Sequence, residues 1–388
     1  MNAKGQSQTA AELLASLVAF DTTSHRSNLG IIDFIEDFLA QHGVAARRVV
    51  SSDGEKSSLY ATLGPDGEGG VALSGHTDVV PVDGQTWTSD PFTLRAADGR
   101  YYGRGTADMK GFIAAVLAAT PDFKRRKLKT PIHYAFSYDE EIGCVGVRPM
   151  IAELGKNLPK PRMVIVGEPT SMQVIDAHKG PVRWHVEVIG RAAHSSMAPL
   201  GVNAITYAAR LVAELERIEA DLKKTVRNAR FDPPYPTLQV TKLAGGTASN
   251  IIPINCTLGF EVRALPELDS DDIERRLRHF ADTQCLPEMR AIAPEADITI
   301  TRTNSVPPFG ADRASDVVAL ALKLTGQNET HTVSFATEAG LFQDAGAPAV
   351  ICGPGDIAQA HTADEWIAES EIDKCMRFLS RLGDWAEA

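Results

Sequence analysis

The sequence has few of the features that mark secreted or membrane proteins. It contains only five cysteines in 388 residues, at wide spacings and with no Cys-x-x-Cys pair. That pattern predicts neither a disulfide framework nor a thiolate zinc site, and reduced thiols favour a cytoplasmic protein. No stretch approaches the ~20 apolar residues of a membrane-spanning helix, and residues 1–20 contain no uninterrupted apolar run. We therefore expect no signal peptide and no membrane anchor.

Positive charge is also scarce. The chain has 39 Lys and Arg against 50 Asp and Glu, a formal net charge of -11, and its main basic block is residues 124–127. We therefore expect no nucleic-acid binding. Hydrophobic residues make up 44% of the chain and charged residues 23%, as in ordinary globular proteins. The length exceeds what one hydrophobic core usually serves, so two domains are expected.

The hydrophobic pattern of the first and last parts of the chain predicts an α/β fold. Helical spacing of apolar residues is seen over 13–18 and 31–39. Short apolar runs typical of buried strands occur at 59–63, 71–73, 132–136, 163–166 and 349–352. Strands that alternate with helices predict a mixed, largely parallel sheet flanked by helices.

The pattern changes between residues 181 and 303. Apolar and polar residues alternate over 182–188, and the predicted elements then follow the order β-α-β-β-α-β of a ferredoxin-like unit. Helix–strand alternation resumes afterwards. The sequence therefore predicts one domain in two parts, 1–180 and 304–388, with an inserted ferredoxin-like α+β domain at 181–303.

Side chains capable of metal chemistry follow the predicted strands. They are His76 and Asp78 after strand 71–73, Asp108 in a Gly-rich turn, Glu140 and Glu141 after 132–136, Glu168 after 163–166, and His361 after 349–352. Open α/β sheets gather functional groups at strand ends. Each motif alone is also explained by a turn, a helix cap or a surface acid pair, but five such coincidences are far rarer than one. Two His and three carboxylates suit two divalent ions bridged by one carboxylate, with a further Glu free to accept a proton.

The Gly-rich turn at 103–111 admits a second interpretation as a nucleotide-binding loop. However, the third Gly of a dinucleotide fingerprint is replaced, and no Gly-Lys-Ser/Thr occurs at P-loop spacing. We favour a tight turn that presents Asp108, with a helix-capping Asp as the structural alternative. For Asp78 we expect a hydrogen bond from the second ring nitrogen of His76.

These blocks resemble the signatures of the M20 family of co-catalytic metallopeptidases and deacylases. The matching blocks are residues 74–81, 103–111, 139–143, 167–170 and His361, and the resemblance covers nearly the whole chain. Its acetylornithine deacetylase branch is the most similar, on residues 177–180, 234–238, 353–361 and 363–365. The resemblance implies hydrolysis of N2-acetyl-L-ornithine to L-ornithine and acetate, a step of arginine biosynthesis. The alternatives are a succinyl-diaminopimelate desuccinylase, a broader N-acyl-amino-acid amidohydrolase or a peptidase.

The resemblance also implies roles for individual residues. The implied ligands of two divalent ions are His76 and Glu168 for one ion, Glu141 and His361 for the other, and Asp108 as the bridge. Zn²⁺ is favoured by this N/O ligand set, and Co²⁺ or Mn²⁺ also fits. Glu140 is implied to be the general base for a metal-bridging water, and Asp78 to orient His76. Because every one of these positions holds a competent residue, a metal-free binding protein on the same scaffold is disfavoured.

The inserted domain is implied to be a lid through which a homodimer forms. His194 would stabilise the oxyanion, from its own or the partner subunit, Asn250 would contact the acyl region, and Arg263 would pair with the α-carboxylate of an N-acyl amino acid. Exposed His and Arg residues also occur without any function. Apart from the resemblance, we hypothesise that Glu338 faces the substrate's ammonium; the alternative is an acidic residue at a helix N-terminus.

Overall fold

The computed structural model describes residues 8–388. The expectation of no signal peptide concerns residues 1–20, and residues 1–7 of that segment lie outside the described residues. Within 8–388, no helix is both long and apolar enough to cross a membrane. The chain divides into two compact units. Unit 1 comprises the described residues up to Ala177 together with 310–331 and 337–388, and unit 2 comprises His178–Phe309 and Thr332–Ala336.

Helices and strands alternate through most of the chain. The α-helices are α1 (Ala10–Val18), α2 (Leu29–Gln41), α3 (Gly111–Arg125), α4 (Val147–Glu153), α5 (Ala204–Thr225), α6 (Ser270–Phe280), α7 (Leu286–Ile292), α8 (Asp316–Thr325), α9 (Ala339–Asp344) and α10 (Glu369–Glu387). The first eight strands are β1 (Ala46–Val50), β2 (Ser57–Leu63), β3 (Val71–His76), β4 (Arg95–Ala97), β5 (Arg100–Tyr102), β6 (Ile132–Ser137), β7 (Met163–Pro169) and β8 (Ile175–His178). The others are β9 (Gly180–Ile189), β10 (Thr237–Gly245), β11 (Asn255–Ala264), β12 (Asp297–Ser305), β13 (Phe309–Gly310), β14 (His331–Val333), β15 (Ala349–Gly353) and β16 (Trp366–Ala368).

The main sheet of unit 1 has a parallel centre. Its strand order runs β1-β2-β6-β3-β7-β15-β8, and the β6-β3, β3-β7 and β7-β15 pairs are parallel. These four strands are buried along their whole length, as a sheet covered by helices on both faces requires. The mixed, largely parallel sheet predicted from the apolar runs is therefore confirmed.

Unit 2 carries a separate antiparallel sheet. Its strand order is β10-β11-β9-β12, and every neighbouring pair is antiparallel. Val182, Trp184, Val186 and Val188 of β9 are buried and pack in one apolar cluster with residues of α5 and α6. This is the arrangement that a β-α-β-β-α-β unit adopts when its helices cover one face of the sheet.

The C-terminal helix α10 is the longest element that the sequence analysis overlooked. It buries Ile372, Cys375, Phe378, Leu379, Leu382 and Ala386 against the core of unit 1. Their spacing is helical and visible in the sequence, so the signal was present. The short sheet β16-β5-β4 was also overlooked, because strands of three residues leave little periodicity to detect.

Candidate metal centre

The parallel centre of the sheet brings the predicted ligands to one edge. His76 is the last residue of β3, Glu140 and Glu141 follow β6, and Glu168 lies near the end of β7. The carboxyl ends of parallel strands point the same way, so these side chains converge although long segments separate them in sequence. His361 follows β15 and reaches the same edge.

Asp108 lies in the turn before α3. Its backbone is extended (φ −125°, ψ 93°), the next residue, Met109, is also non-helical (φ −135°, ψ 34°), and helical backbone begins only at Lys110. The turn begins at Gly105, whose φ of 81° lies in the left-handed region. A Cβ at that glycine would lie 2.7 Å from Val79, so the turn requires glycine there. The predicted Gly-permitted turn thus presents the Asp108 carboxylate to the sheet edge.

One group of candidate ligands joins His76, Asp108 and Glu168. The His76 Nε2 atom lies 2.9 Å from Asp108 Oδ1 and 3.7 Å from Glu168 Oε1. All three side chains are buried. Burial, followed by the charge of Asp108, raises the pKa of the Glu168 carboxyl well above its usual value. A nitrogen and two carboxylates that share so little space need a cation to keep both carboxylates ionised.

A second group joins Asp108, Glu141 and His361. The His361 Nε2 atom lies 3.2 Å from Asp108 Oδ2 and 3.1 Å from Glu141 Oε2. Hydrogen bonds to Asp108 and Glu141 raise the pKa of His361 to about 10. Burial, with the charge of Asp108, raises the pKa of Glu141 to about 7. Since the candidate ligand atoms of each group lie within 4.8 Å of one another, the two groups that share Asp108 fit two divalent metal ions.

Asp78 contacts His76 in a different way from the expected one. The His76 Nδ1 atom lies 2.9 Å from the backbone carbonyl oxygen of Asp78, and its distance to the carboxylate Oδ1 is 3.5 Å. The carboxylate instead accepts hydrogen bonds from the backbone N–H groups of Glu140 and Glu141 and from the Ser24 hydroxyl. Asp78 therefore holds His76 with its carbonyl and the Glu140–Glu141 loop with its side chain.

The predicted base, Glu140, is next to the candidate ligands but belongs to neither group. The buried Cys144 thiol donates a hydrogen bond of 3.2 Å to Glu140 Oε1. Burial, only partly offset by the charge of His76, raises the pKa of Glu140 well above its usual value. A carboxyl with a raised pKa is suited to exchange protons near neutral pH.

Glu338 is buried, which bears on its predicted contact with the substrate. Only 1% of its surface is exposed, and its carboxylate accepts hydrogen bonds from the hydroxyls of Ser74 and Ser137. It immediately precedes α9. This position favours the alternative, an acidic residue at a helix N-terminus.

The titration of Glu338 gives a testable stability effect. Burial raises its pKa from 4.5 to about 7, so unfolding of the metal-free protein releases this proton between those values and stability falls as the pH rises through that window. In a Glu338→Gln variant that loss is absent. Relative to wild type, its free energy of unfolding should therefore rise by on the order of 3 kcal/mol between pH 4.5 and 7 and stay level above. Chemical denaturation of both metal-free proteins across this pH range measures the difference between their free energies of unfolding. A difference that does not change with pH would contradict the raised pKa of Glu338.

Glu365 and Arg104 are functional candidates that the sequence analysis missed. Their side chains form a fully buried ion pair, with Arg104 Nη1 2.7 Å from Glu365 Oε2. Glu365 also accepts the backbone N–H groups of Ala107 and Asp108. In the sequence, residues 363–365 are distinguished only by their resemblance to the family, and no local pattern indicates that Glu365 pairs with a residue as distant as Arg104.

The other predicted substrate-site residues, His194, Asn250 and Arg263, lie in unit 2. His194 is exposed, and its Nδ1 atom lies 2.7 Å from the Ser196 hydroxyl. The segments of His194 and Asn250 are neighbours, since the Ser195 N–H donates to the Asn250 carbonyl. Arg263 lies on β11, and its Nε donates to Glu261 at 2.7 Å. These contacts fix where the residues lie within unit 2, and their roles stay predictions.

Comparison with known proteins gives the family of this chain. A family model described as "Peptidase family M20/M25/M40" matches residues 72–384. The chain is 34% identical to the acetylornithine deacetylase of Pasteurella multocida over 379 residues (96% of each chain), and 35% identical to that of Proteus mirabilis over 368 residues (95% and 92%). In fold it is similar to an M20 family metallo-carboxypeptidase from Sulfolobus solfataricus, with a TM-score of 0.76, 19% identity and coverage of 98% and 99%. The chain belongs to the peptidase family M20/M25/M40.

Proposed function

We propose that this protein, a family M20 hydrolase of amide bonds, converts N2-acetyl-L-ornithine to L-ornithine and acetate. The observation that carries the proposal is the pair of ligand groups that share Asp108 beside the protonatable Glu140. The identity of 34% over nearly the full length to a relative named acetylornithine deacetylase supports the choice of substrate. Arginine biosynthesis is the corresponding role, and five buried free cysteines are consistent with a cytoplasmic location.

In this proposal the two ligand groups hold the metals. His76 and Glu168 would hold one divalent ion, Glu141 and His361 would hold the other, and Asp108 would be the shared ligand. Zn²⁺ suits the nitrogen and oxygen donors best, with Co²⁺ as the alternative. Divalent ions held by these residues would supply Lewis-acid chemistry, that is, polarisation of the amide carbonyl and a lower pKa of water.

Glu140 moves the protons in this proposal. It takes one from the attacking water and returns it to the leaving amine, as general base and then general acid. The Asp78 carboxylate keeps the base in place through the backbone N–H groups of Glu140 and Glu141. From unit 2, we propose that His194 stabilises the oxyanion, Asn250 contacts the acyl group and Arg263 binds the α-carboxylate.

Amine release from N-acetyl-L-ornithine tests the function. Chelator-stripped protein should be inactive and should regain turnover when Zn²⁺ or Co²⁺ is added, because in this proposal the cations are what polarises the amide. N-succinyl-diaminopimelate, acetylmethionine and a dipeptide serve as parallel substrates. A clear preference for one of those substrates would support metal-dependent amide hydrolysis but contradict acetylornithine as the substrate. The absence of turnover with every substrate in metal-loaded protein would refute the proposal.

We also propose that unit 2 is a lid and mediates homodimerisation. β10 lies at one edge of its sheet, where unpaired backbone groups are free to join another strand. Leu243 on that strand is 54% exposed, and Met197, Leu200, Ile251 and Ile254 are exposed apolar residues of the same unit. Sedimentation velocity should therefore show a dimer of the 41.7 kDa chain. A Leu243→Lys variant should shift it toward monomer, and a wild-type monomer at all concentrations would contradict the proposal.

A further inference from the structure

A polar network of two buried residues and one partly exposed residue contacts the backbone of two candidate metal ligands. It consists of Glu365, Arg104 and Gln85, none of which belongs to a ligand group. We propose that Glu365, together with Arg104 and Gln85, is a positioning residue that fixes the backbones of Asp108 and His361 for metal binding. The inference rests on the proposed function, because it concerns the ligands of that centre.

Glu365 fixes the turn that carries the shared ligand. Its Oε1 accepts the N–H groups of Ala107 at 2.9 Å and Asp108 at 3.1 Å. Its Oε2 accepts the N–H of Gly105 at 2.9 Å and Arg104 Nη1 at 2.7 Å. Both oxygens are fully used and buried, so Glu365 is not itself a metal ligand. The N–H groups of Gly105, Ala107 and Asp108 lie ahead of α3, where no carbonyl of a preceding helical turn is available to accept them. The Glu365 carboxylate accepts all three.

Arg104 and Gln85 extend the network to His361. Arg104 Nη2 donates to Gln85 Oε1 at 2.5 Å, and Gln85 Nε2 donates to the His361 carbonyl at 2.9 Å. His361 has a φ of 60°, in the left-handed region that is unfavourable for residues other than glycine. A residue held in such a conformation needs partners that over-determine it. Gln85 is one of them.

The two ends of the network thus reach different ligands. Glu365 acts on Asp108, which is shared by both ligand groups, whereas Gln85 acts on His361, which belongs to one. Loss of the contact between Glu365 and Asp108 should therefore weaken the binding of both metal ions. Loss of the contact between Gln85 and His361 should weaken the binding of one. A residue that merely stabilised the fold would not produce this asymmetry.

The test is a metal titration of Glu365→Gln and Gln85→Met in chelator-stripped protein. A glutamine at 365 places an NH2 group where two donors converge, so one pair of hydrogen bonds is lost. We expect about 10- to 100-fold weaker Zn²⁺ binding at both sites for Glu365→Gln, the usual effect of removing a partner of a metal ligand. For Gln85→Met we expect the same weakening at one site only. Competition with a chromophoric chelator measures both affinities without any substrate.

Glu371→Gln is the matched control. Glu371 also accepts a backbone N–H, from Gly355 at 3.3 Å, and pairs with Lys374, so its variant should bind Zn²⁺ as wild type does. Wild-type affinities in both test variants, with only the melting temperature of the metal-free protein lowered, would overturn the inference while leaving the proposed function intact. Should Glu365→Gln fail to fold, Gln85→Met decides alone, since Gln85 is partly exposed. A wild-type protein without Zn²⁺ affinity would overturn the proposed function and the inference together.

Discussion

Replacing Glu140 by Gln is expected to lower kcat for acetylornithine by at least ~10²–10⁴, the span usual for general base catalysis. The amide has nearly the shape of the carboxyl but cannot accept a proton from water. Because Glu140 belongs to neither ligand group, the variant should retain the wild-type metal content. Initial rates together with elemental analysis of the purified protein measure both quantities.

Glu153→Gln provides the control for this variant. Glu153 ends α4 and its side chain accepts a hydrogen bond from Asn157, so its neutralisation should leave kcat unchanged. If Glu140→Gln kept more than about a tenth of the wild-type kcat, the base would have to be another group. A loss of activity with an equal loss of metal would show instead that Glu140 supports metal binding.

Asp108→Asn should have the second large effect. Asp108 offers one carboxylate oxygen to each ligand group, 2.9 Å from His76 Nε2 and 3.2 Å from His361 Nε2. An amide offers one oxygen and one NH2 group, which cannot bind a cation. We therefore expect metal content to fall from two ions per chain to at most one. Because a metal ion in a hydrolase usually contributes several kcal/mol of transition-state stabilisation, we expect kcat to fall by about 10²-fold or more.

Asp122→Asn is the corresponding control. Asp122 lies in α3 and pairs with Arg126, so the same substitution there should change neither metal content nor rate. An Asp108→Asn protein that still bound two ions per chain would show that the ions are not bridged by this carboxylate. The two predictions are separable, because the Glu140 variant is expected to lose rate alone and the Asp108 variant to lose metal as well.

The parts of the fold that could be predicted are those with strong local patterns. The parallel strands β3, β6, β7 and β15 are continuous apolar runs with a clear end. Because parallel strands end at one edge, the polar residues that follow them could be placed together without a structure. The alternation along β9 was equally direct, since one face of its sheet is covered by helices.

What could not be predicted depends on contacts without local signals. Glu365 follows His361 closely in sequence, yet its partners are Arg104 and the turn before Asp108. His76 Nδ1 lies 2.9 Å from the Asp78 carbonyl oxygen and 3.5 Å from its carboxylate, so a small difference in distance decides which of them is its hydrogen-bond partner. Residue types do not fix such details. The surroundings of Glu338 could not be predicted either, because the two serines that donate hydrogen bonds to its buried carboxylate lie far from it in sequence.

The order of the ligands along the chain has a consequence for biosynthesis. His76, Asp108, Glu141 and Glu168 all leave the ribosome before unit 2, but His361 comes only after it. The strand that precedes His361, β15, inserts between β7 and β8, so the sheet of a nascent chain stays open until translation is nearly complete. An interrupted polypeptide therefore has only one of the two groups of candidate ligands and leaves β7 without its neighbour β15. Premature termination should yield an inert, aggregation-prone product rather than a partly active enzyme.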